Sequence, residues 1–190
     1  DGVEAVFVDY VTKQSVVSPF DAIQNGARTV HPAAPDNTAY EWDHGTRTDV
    51  DRAIQSAAHV VTVSTQSGRI IVNPMETRCA LAEYEPEHQS FTLYTPTQGA
   101  HKLRDILAEE IFGVEQSQVR VVTEDVGGAF GIKLQAYPEH VLVMFAAREL
   151  GKPVRWVADR TEGFLADAHG RAQHNTARLA LDSEGKFAAL

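Results

Sequence analysis

The segment from Asp125 to Lys133, the glycine loop, constrains the fold more than any other because it places Gly127, Gly128 and Gly131 directly after a valine-rich stretch. Glycine adopts positive φ angles at little cost and lets the backbone come close to a ligand. Successive N–H groups in such a turn can form an anion-binding site. The valines predict a strand before the loop, and apolar spacing predicts a helix after it. The segment therefore predicts a strand-to-helix turn that is able to approach a ligand.

Phe130, inside this loop, leaves two interpretations open. An apolar ring among glycines favours a wall against a flat ligand, but it equally fits a tight solvent-facing turn with the ring tucked into the core. The glycines do not follow the G-x-G-x-x-G spacing of dinucleotide-binding loops, and the Gly-Lys-Ser/Thr ending of a phosphate-binding loop is missing. A nucleotide site is therefore not favoured.

A second polar turn, the glutamine loop (residues 95–100), lies where a predicted strand ends and a predicted helix begins. If that strand neighbours strand 119–126, then Gln98 and the glycine loop lie at the same edge of the sheet, where such sheets bind ligands. The uncharged amide of Gln98 offers both donors and an acceptor. The residues alone also fit a helix capped by Thr97 with Gln98 in solvent.

The remaining patterns predict an α+β fold, with a mixed sheet and helices, rather than a regular doubly wound sheet. Alternating and β-branched residues predict strands at 1–12, 59–65, 69–72, 80–84, 90–95, 119–126, 154–158, 176–181 and 186–190. Helical spacing predicts helices at 49–58, 101–112 and 138–150. Residues 13–47 are expected to form an irregular connector with a short helical turn near 20–24, and residues 85–88 a hairpin turn.

Two helices are expected to present apolar surfaces. In the first helix the apolar residues are Leu103, Ile106, Leu107 and Ile111. In the second helix they are Val141, Leu142, Phe145 and Leu150. Gly113 is expected to end the first helix, while Pro138 begins and Gly151 ends the second.

Charge and cysteine content exclude several classes of site. With 17 basic and 26 acidic residues the formal net charge is −9, and without a basic stripe the chain is not expected to bind nucleic acid. No apolar run approaches the ~18 residues of a membrane span. The single cysteine, Cys79, excludes an internal disulfide and a cysteine-rich metal site, and is compatible with the expected cytoplasmic location. The histidines lack metal-ligand spacing such as H-E-x-x-H, which disfavours a zinc site.

Three smaller groups are interpreted as structural. Glu76 and Arg78 are expected to pair with each other on a surface turn. Cys79 is expected to be a buried core thiol. The residues Asp159, Arg160 and Glu162 are expected to form a charged surface cluster.

Taken together, these stretches resemble one family in order and in spacing: the large, molybdopterin-binding subunit of the molybdenum hydroxylases, which include xanthine dehydrogenase and aldehyde oxidase. The resemblance is carried by residues 73–78, 80–84, 97–99, 119–122, 126–133, 137–139, 151–156 and 159–162. The Asn-Pro-Met-Glu sequence at 73–76 most resembles the bacterial carbon monoxide dehydrogenase-like branch.

The resemblance implies a molybdenum–molybdopterin cofactor, which bacterial members often bind as a cytosine dinucleotide. It implies an oxidoreductase that hydroxylates an aldehyde, an N-heterocycle or a similar small molecule with oxygen from water. Electrons would pass to [2Fe-2S] and FAD groups on partner subunits or domains. Carried over residue by residue, Gln98, with Gly99 beside it, would form a hydrogen bond to an oxo ligand of the metal. Gly128, Phe130 and Gly131 would line the metal and pterin.

The sequence also departs from the family pattern. Ala129 replaces the third glycine of the usual Gly-Gly-Gly-Phe-Gly, which is tolerated if its φ is negative. Leu134 stands where purine-oxidising members carry a substrate-binding Glu, which speaks against xanthine as substrate. The family's general-base Glu and the copper-binding cysteine of carbon monoxide dehydrogenases are expected beyond Leu190, so no catalytic residue is assigned here. Cys79 does not match that cysteine.

We therefore expect a fragment of a larger subunit that is inactive by itself. Residues 1–20 would be the tail of a preceding domain or a linker, and residues 21–190 the first part of the molybdopterin-binding domain. The remainder of the large subunit would complete the cofactor pocket. The alternative is a non-catalytic scaffold or subunit-assembly module, in which the glycine loop is only a turn.

Overall fold

The computed structural model describes residues 2–190, apart from the side chain of Val3. By compactness the chain divides into two units, Asp1–Gly68 with Arg171–Leu190, and Arg69–Gly170. The expected tail over residues 1–20 stays a prediction. Among the described residues, no helix has both the length and the apolar character needed to cross a bilayer.

The chain forms the following helices and strands. The α-helices are α1 Pro19–Ala22, α2 Arg47–Ser56, α3 Ala100–Asp105, α4 Pro138–Leu150 and α5 Arg160–Ala166. The strands are β1 His59–Ile70, β2 Cys79–Glu85, β3 Ser90–Tyr94, β4 Val119–Val122, β5 Val154–Val157, β6 Gly170–Leu181 and β7 Phe187–Ala189. Short 3₁₀ turns lie at Val3–Ala5, Gln116–Gln118 and Ile132–Leu134, and Ile106–Phe112 is π-helical.

The unit Arg69–Gly170 is built on a four-stranded mixed sheet with the order β4-β3-β2-β5, which confirms the predicted α+β fold. The strands β2 and β3 form the expected antiparallel hairpin, β2 pairs antiparallel with β5, and β3 runs parallel to β4. Tyr94 is paired with Val122, so β3 and β4 end at the same level. Both polar loops therefore leave the same edge of the sheet.

β4 ends four residues earlier than predicted, at Val122 rather than at Val126. The last ladder contact is the Thr95 N–H to the Val122 carbonyl, at 3.0 Å. The next residue of the neighbouring segment is Pro96, which has no N–H to continue the ladder. The extended backbone that valine favours therefore has no partner strand beyond this point.

The core of this unit lies between the sheet and the helices that pack on one of its faces. Its largest fully buried residues include Leu93, Leu103, Leu107 and Met144. The helix predicted at 101–112 is α3 followed by the π-helical stretch, and Gly113 ends it in the left-handed region, as expected. Ile111 is nevertheless 42% exposed, and the neighbouring Phe112 meets Phe91 with ring centroids 5.0 Å apart. The π-helical stretch has more residues per turn than an α-helix, so its apolar face is shifted by about one residue. A prediction that assumes a 3.6-residue period does not include this shift.

α4 begins at Pro138 and ends before Gly151 as predicted, but its expected apolar surface is largely not the face that meets the core. The buried residues of this helix are His140, Val143, Met144 and Ala147. Of the predicted set, Val141 packs partly against the core, whereas Leu142, Phe145 and Leu150 stay 49–65% exposed. Apolar residues surround much of this helix, so spacing alone does not select one face.

The other unit contains a three-stranded sheet with the order β1-β6-β7. The two strands predicted at 59–65 and 69–72 are one continuous strand, β1, and β6 begins six residues earlier than predicted. The Ser64 and Thr176 hydroxyls on these strands lie 3.0 Å apart. The predicted hairpin between β6 and β7 is confirmed, with the Asp182 carboxylate accepting from the backbone N–H groups of Glu184 and Lys186.

The strand predicted at residues 1–12 is wrong within the described residues. Val3–Ala5 forms a 3₁₀ turn, the chain from 6 to 18 is irregular, and Phe7 is 92% exposed. Alternation makes a strand only where a neighbouring strand accepts its hydrogen bonds. The helical turn expected near 20–24 is α1, and the helix expected at 49–58 is α2, which begins two residues earlier, with Thr46 as its N-cap.

Arg78 joins the start of β2 to α4 and α5, and the expected pairing of Arg78 with Glu76 is wrong. Its buried guanidinium donates to Asp167 Oδ1 at 2.6 Å and to Glu139 Oε2 at 2.9 Å. It also lies 3.7 Å from the centre of the Tyr137 ring. The Arg78 side chain is 3% exposed and the Asp167 side chain 5% exposed. The two charges are therefore stabilised by each other rather than by water.

His140 lies next to this cluster and is buried in its neutral form. The Tyr137 N–H donates to His140 Nδ1 at 3.1 Å, which places the ring proton on Nε2, 3.3 Å from the Thr95 hydroxyl. Burial, reinforced by the positive charge of Arg78, lowers the pKa of His140 to about 4.

We expect this histidine to make the free energy of unfolding depend on pH. Below the unfolded pKa of about 6.5, the unfolded chain binds a proton that the folded chain does not, so stability falls as the pH drops from 6.5 toward 4. The loss reaches about 2–3 kcal/mol by pH 4.5. Urea denaturation of the 190-residue chain between pH 4.5 and 7.5 measures it.

His140→Asn should remove the part of the dependence that this ring causes and so give a shallower slope, whereas His88→Asn, in the exposed hairpin turn, should keep the slope of the unchanged chain. Equal slopes for the chain and for His140→Asn would show that the buried ring does not titrate as the structure implies.

Candidate functional site

The glutamine loop and the glycine loop meet at the carboxyl-terminal edge of β3 and β4. The Thr97 N–H donates to the Thr123 hydroxyl at 3.2 Å, just past the last ladder contact. The Thr97 hydroxyl donates to the Lys133 carbonyl at 2.9 Å. The conditional prediction that the two loops share one edge is confirmed.

Gln98 connects the loops directly. Its side-chain Oε1 accepts from the Gly131 N–H at 2.9 Å, and its backbone N–H donates to the Lys133 carbonyl at 3.0 Å. The side chain is exposed, but its carbonyl end is fixed. Thr97 accepts from the Gly99 N–H at 3.2 Å, yet Gly99 itself is the N-cap residue of α3. The alternative of a purely solvated Gln98 is therefore wrong.

The glycine loop follows an unusual backbone path. Gly128 and Gly131 have φ angles of +95° and +103°, and Phe130 between them has +49°. A positive φ is uncommon for an aromatic residue. The Phe130 ring is 77% exposed, so the alternative that places it in the core is wrong. Ala129 lies outside the left-handed region, as its methyl group requires.

Hydrogen-bond donors without a protein partner gather at this point. Among the described residues, Gln98 Nε2 has no acceptor within hydrogen-bond distance. The backbone N–H groups of Gly128, Ala129 and Phe130 likewise have no acceptor in that part of the chain. Unpaired donors on a bent backbone, beside an exposed flat ring, suit a ligand that presents oxygen atoms and a planar body. A molybdenum–pterin cofactor has that character, so the residues present fit it.

Glu76 holds the start of the glycine loop, a role that sequence reasoning missed. The Glu76 N–H donates to the Gly127 carbonyl at 3.0 Å, and Glu76 Oε2 accepts from the Gly127 N–H at 2.9 Å. Lys133 Nζ donates to the same carboxylate oxygen at 2.6 Å. Burial raises the pKa of Glu76, but the bonds from Lys133 and Gly127 outweigh it, so the pKa lies below its usual value. In the sequence, Lys133 at the end of the glycine loop was the one feature that could have indicated this role of Glu76.

Arg160 holds the segment in front of Glu76. Its guanidinium donates to Asn73 Oδ1 and to the Pro74 and Met75 carbonyls, the last two at 2.8 Å. Asp159 and Glu162 are not a loose surface cluster with it, since they cap the N-terminus of α5 reciprocally. These contacts place residues 73–76 directly against the glycine loop.

Cys79 lines a groove of about 290 Å³ that also borders Glu76, Thr95, Pro96 and Asp125. The thiol is half-buried rather than fully buried as expected. Burial, reinforced by the charge of Glu76, raises the pKa of the Cys79 thiol, which keeps it protonated and disfavours a nucleophilic role. Within the described residues, no group of three or more His, Cys, Asp or Glu side chains could hold a metal ion.

Comparison with known proteins decides what kind of domain carries this geometry. A family model described as the molybdopterin cofactor-binding domain matches residues 30–190. The chain belongs to this family. The matched region of this molybdopterin cofactor-binding domain includes both loops, Glu76 and Lys133.

The domain is similar to parts of larger enzymes. It is 34% identical over 187 residues to the nicotine 6-hydroxylase large subunit of Paenarthrobacter nicotinovorans, covering 98% of this chain and 22% of that protein. Quinoline 2-oxidoreductase from Pseudomonas putida 86 superposes with a TM-score of 0.66 at 38% identity, over 73% of this chain and 17% of the other. Reconstituted CO dehydrogenase from Oligotropha carboxidovorans gives a TM-score of 0.86 at 28% identity, over 97% and 24%. The chain thus spans less than a quarter of each of these relatives.

Proposed function

We propose that the glutamine and glycine loops form one wall of the cofactor pocket in the large subunit of a molybdenum hydroxylase. The residues that would line it are Gln98, Gly99, Gly128, Phe130 and Gly131. The observation that carries the proposal is the Gln98 amide, whose oxygen accepts from the Gly131 N–H while its nitrogen has no acceptor among the described residues. Such an amide is oriented in advance as a donor toward an oxo group.

Each element has a definite task in this proposal. Gln98 Nε2 would donate to an oxo ligand. The N–H groups of residues 128–130, which have no acceptor within residues 2–190, would donate to further oxygen atoms of the cofactor. The exposed ring of Phe130 would exclude water and limit where a flat substrate lies. When bound, the molybdenum–pterin supplies the two-electron chemistry and the activated oxygen, while the chain supplies position and hydrogen bonds.

The complete enzyme, in the same proposal, contains parts that this chain does not. The rest of the large subunit would close the pocket and supply the general-base Glu, and [2Fe-2S] and FAD groups on partner subunits or domains would accept the electrons. Relatives named as large chains or subunits of complexes support this arrangement. A cytosine dinucleotide form of the pterin and a cytoplasmic location belong to the proposal as well.

An aromatic N-heterocycle is the substrate class that we favour. Identity is 34–38% to relatives named for nicotine and quinoline, and 28–31% to those named for carbon monoxide dehydrogenase. Leu134, 41% exposed beside Gly99, offers an apolar rather than an acidic surface at the edge of the site. Turnover by the complete enzyme of quinoline or nicotine, but not of carbon monoxide, is the expected result. The reverse preference would reject this substrate class.

Gln98→Leu in the complete enzyme tests the role of the amide, because leucine has similar size but no donor. We expect activity to fall about 10–100-fold, the usual effect of removing a hydrogen bond next to a metal centre. The molybdenum EPR spectrum should shift as well. Gln55→Leu, on the exposed side of α2, serves as the control and should change neither.

The same experiment separates the two candidate functions. A pure, folded wild-type subunit that contains neither molybdenum nor pterin would favour the scaffold alternative. A Gln98→Leu enzyme with normal activity and an unchanged spectrum would reject the assignment of Gln98.

A further inference from the structure

We infer that Glu76 and Lys133 are a pair of positioning residues that hold the glycine loop and the Gln98 amide in one fixed arrangement around the cofactor. The inference rests on the proposed function and deepens it. In this inference both side chains act through the backbone of the two loops.

Lys133 is connected to both loops at once. Its side chain is 1% exposed, and its Nζ lies 2.6 Å from Glu76 Oε2. Its backbone carbonyl accepts from the Gln98 N–H at 3.0 Å and from the Thr97 hydroxyl at 2.9 Å. A displacement of Lys133 therefore also displaces the backbone of Gln98.

Glu76 completes the connection at the other end of the glycine loop. It contacts both backbone groups of Gly127, accepting from the N–H at 2.9 Å and donating to the carbonyl at 3.0 Å. Only glycine fits at position 127, since a Cβ there would lie 2.5 Å from Glu76 Cβ. The first glycine and the terminal lysine of the loop are thus held by one carboxylate.

The part of the loop between these two anchors carries the unpaired donors. The N–H groups of Gly128, Ala129 and Phe130 have no acceptor among the described residues, while the groups at the two ends do. A loop that is held at both ends can orient the N–H donors at its centre toward a ligand, because these donors make no hydrogen bonds within the described chain.

A buried lysine by itself does not stabilise the folded protein. Removing an ammonium from water costs several kcal/mol, and an apolar replacement of a whole ion pair is often neutral for folding. The double replacement of this pair therefore separates stability from positioning. If the pair serves positioning, an apolar substitute restores folding but not the cofactor site.

The test uses the complete, assembled enzyme with three variants: Glu76→Met, Lys133→Met, and the double variant, in which both partners are apolar. Molybdenum content, the molybdenum EPR spectrum of the loaded fraction and the thermal unfolding midpoint are measured for each. Lys186→Met removes the lysine of an exposed ion pair with Glu184 and is the matched control.

We expect Glu76→Met to lose both stability and molybdenum, because it leaves the buried Lys133 ammonium without its counter-ion and the Gly127 N–H without its acceptor. The double variant should regain the wild-type unfolding midpoint, yet keep about a tenfold loss of molybdenum content and a shifted EPR spectrum. The control should resemble wild type throughout.

Two results overturn the inference, and they are distinguishable. A double variant with wild-type molybdenum content and EPR spectrum overturns the inference while leaving the proposed function intact. A wild-type enzyme that contains no molybdenum overturns the proposed function, and the inference with it.

Discussion

Arg78→Met should lower the free energy of unfolding by about 3–5 kcal/mol, since breaking a buried ion pair leaves an uncompensated charge. Asp167, 5% exposed at its side chain, would lose its partner at 2.6 Å, and Glu139 its partner at 2.9 Å. Methionine fills much of the volume, so the loss reports on charge rather than on a cavity. Urea denaturation of the 190-residue chain at pH 7 measures the effect.

Arg52→Met provides the comparison. Arg52 pairs with Asp49 at 3.1 Å, but both side chains are more than 60% exposed, so only a small change is expected. If Arg78→Met were as mild as Arg52→Met, the connection between β2, α4 and α5 would have to depend on packing rather than on these charges.

Gly127→Ala is the second change with a large expected effect. The added Cβ would lie 2.5 Å from Glu76 Cβ, so the two segments must separate and both Glu76–Gly127 hydrogen bonds are strained. Overpacking of this kind costs about 1–3 kcal/mol. Because the glycine loop starts here, we also expect the molybdenum content of the complete enzyme to fall.

Two other glycines separate the possible causes. Gly131→Ala introduces a methyl group into open space at a φ of +103°, so it tests backbone strain without a clash. Gly68→Ala meets neither obstacle and should be close to neutral in both measurements. A Gly127→Ala enzyme that keeps full stability and molybdenum would mean that Glu76 and the loop are not held as closely as the structure has them.

Local signals were sufficient for the features that depend on one segment. The hairpin turn at 85–88, the left-handed Gly113 and the helix start at Pro138 follow from the conformational preferences of single residues. The meeting of the two polar loops followed from one condition, that β3 and β4 are parallel neighbours, and that condition holds.

The features that could not be predicted depend on residues far apart in the chain. Glu76 meets Lys133 across 57 positions, and Arg78 meets Asp167 across 89. Proximity in sequence favoured the pairing of Glu76 with Arg78 instead, because nothing local reveals which charges the fold will bury. The missing strand at the N-terminus and the exposed face of α4 have the same origin, since alternation and spacing do not say which neighbour is present.

A crystal structure of the complete, cofactor-loaded enzyme, with anomalous diffraction data at the molybdenum edge, tests the proposed site most directly. We predict one metal peak at the carboxyl-terminal edge of β3 and β4, with an oxo ligand within about 3.2 Å of Gln98 Nε2. The Phe130 N–H should face the same centre. A metal peak remote from both loops, or a Gln98 Nε2 that donates to another protein group, would contradict the proposed role of these loops.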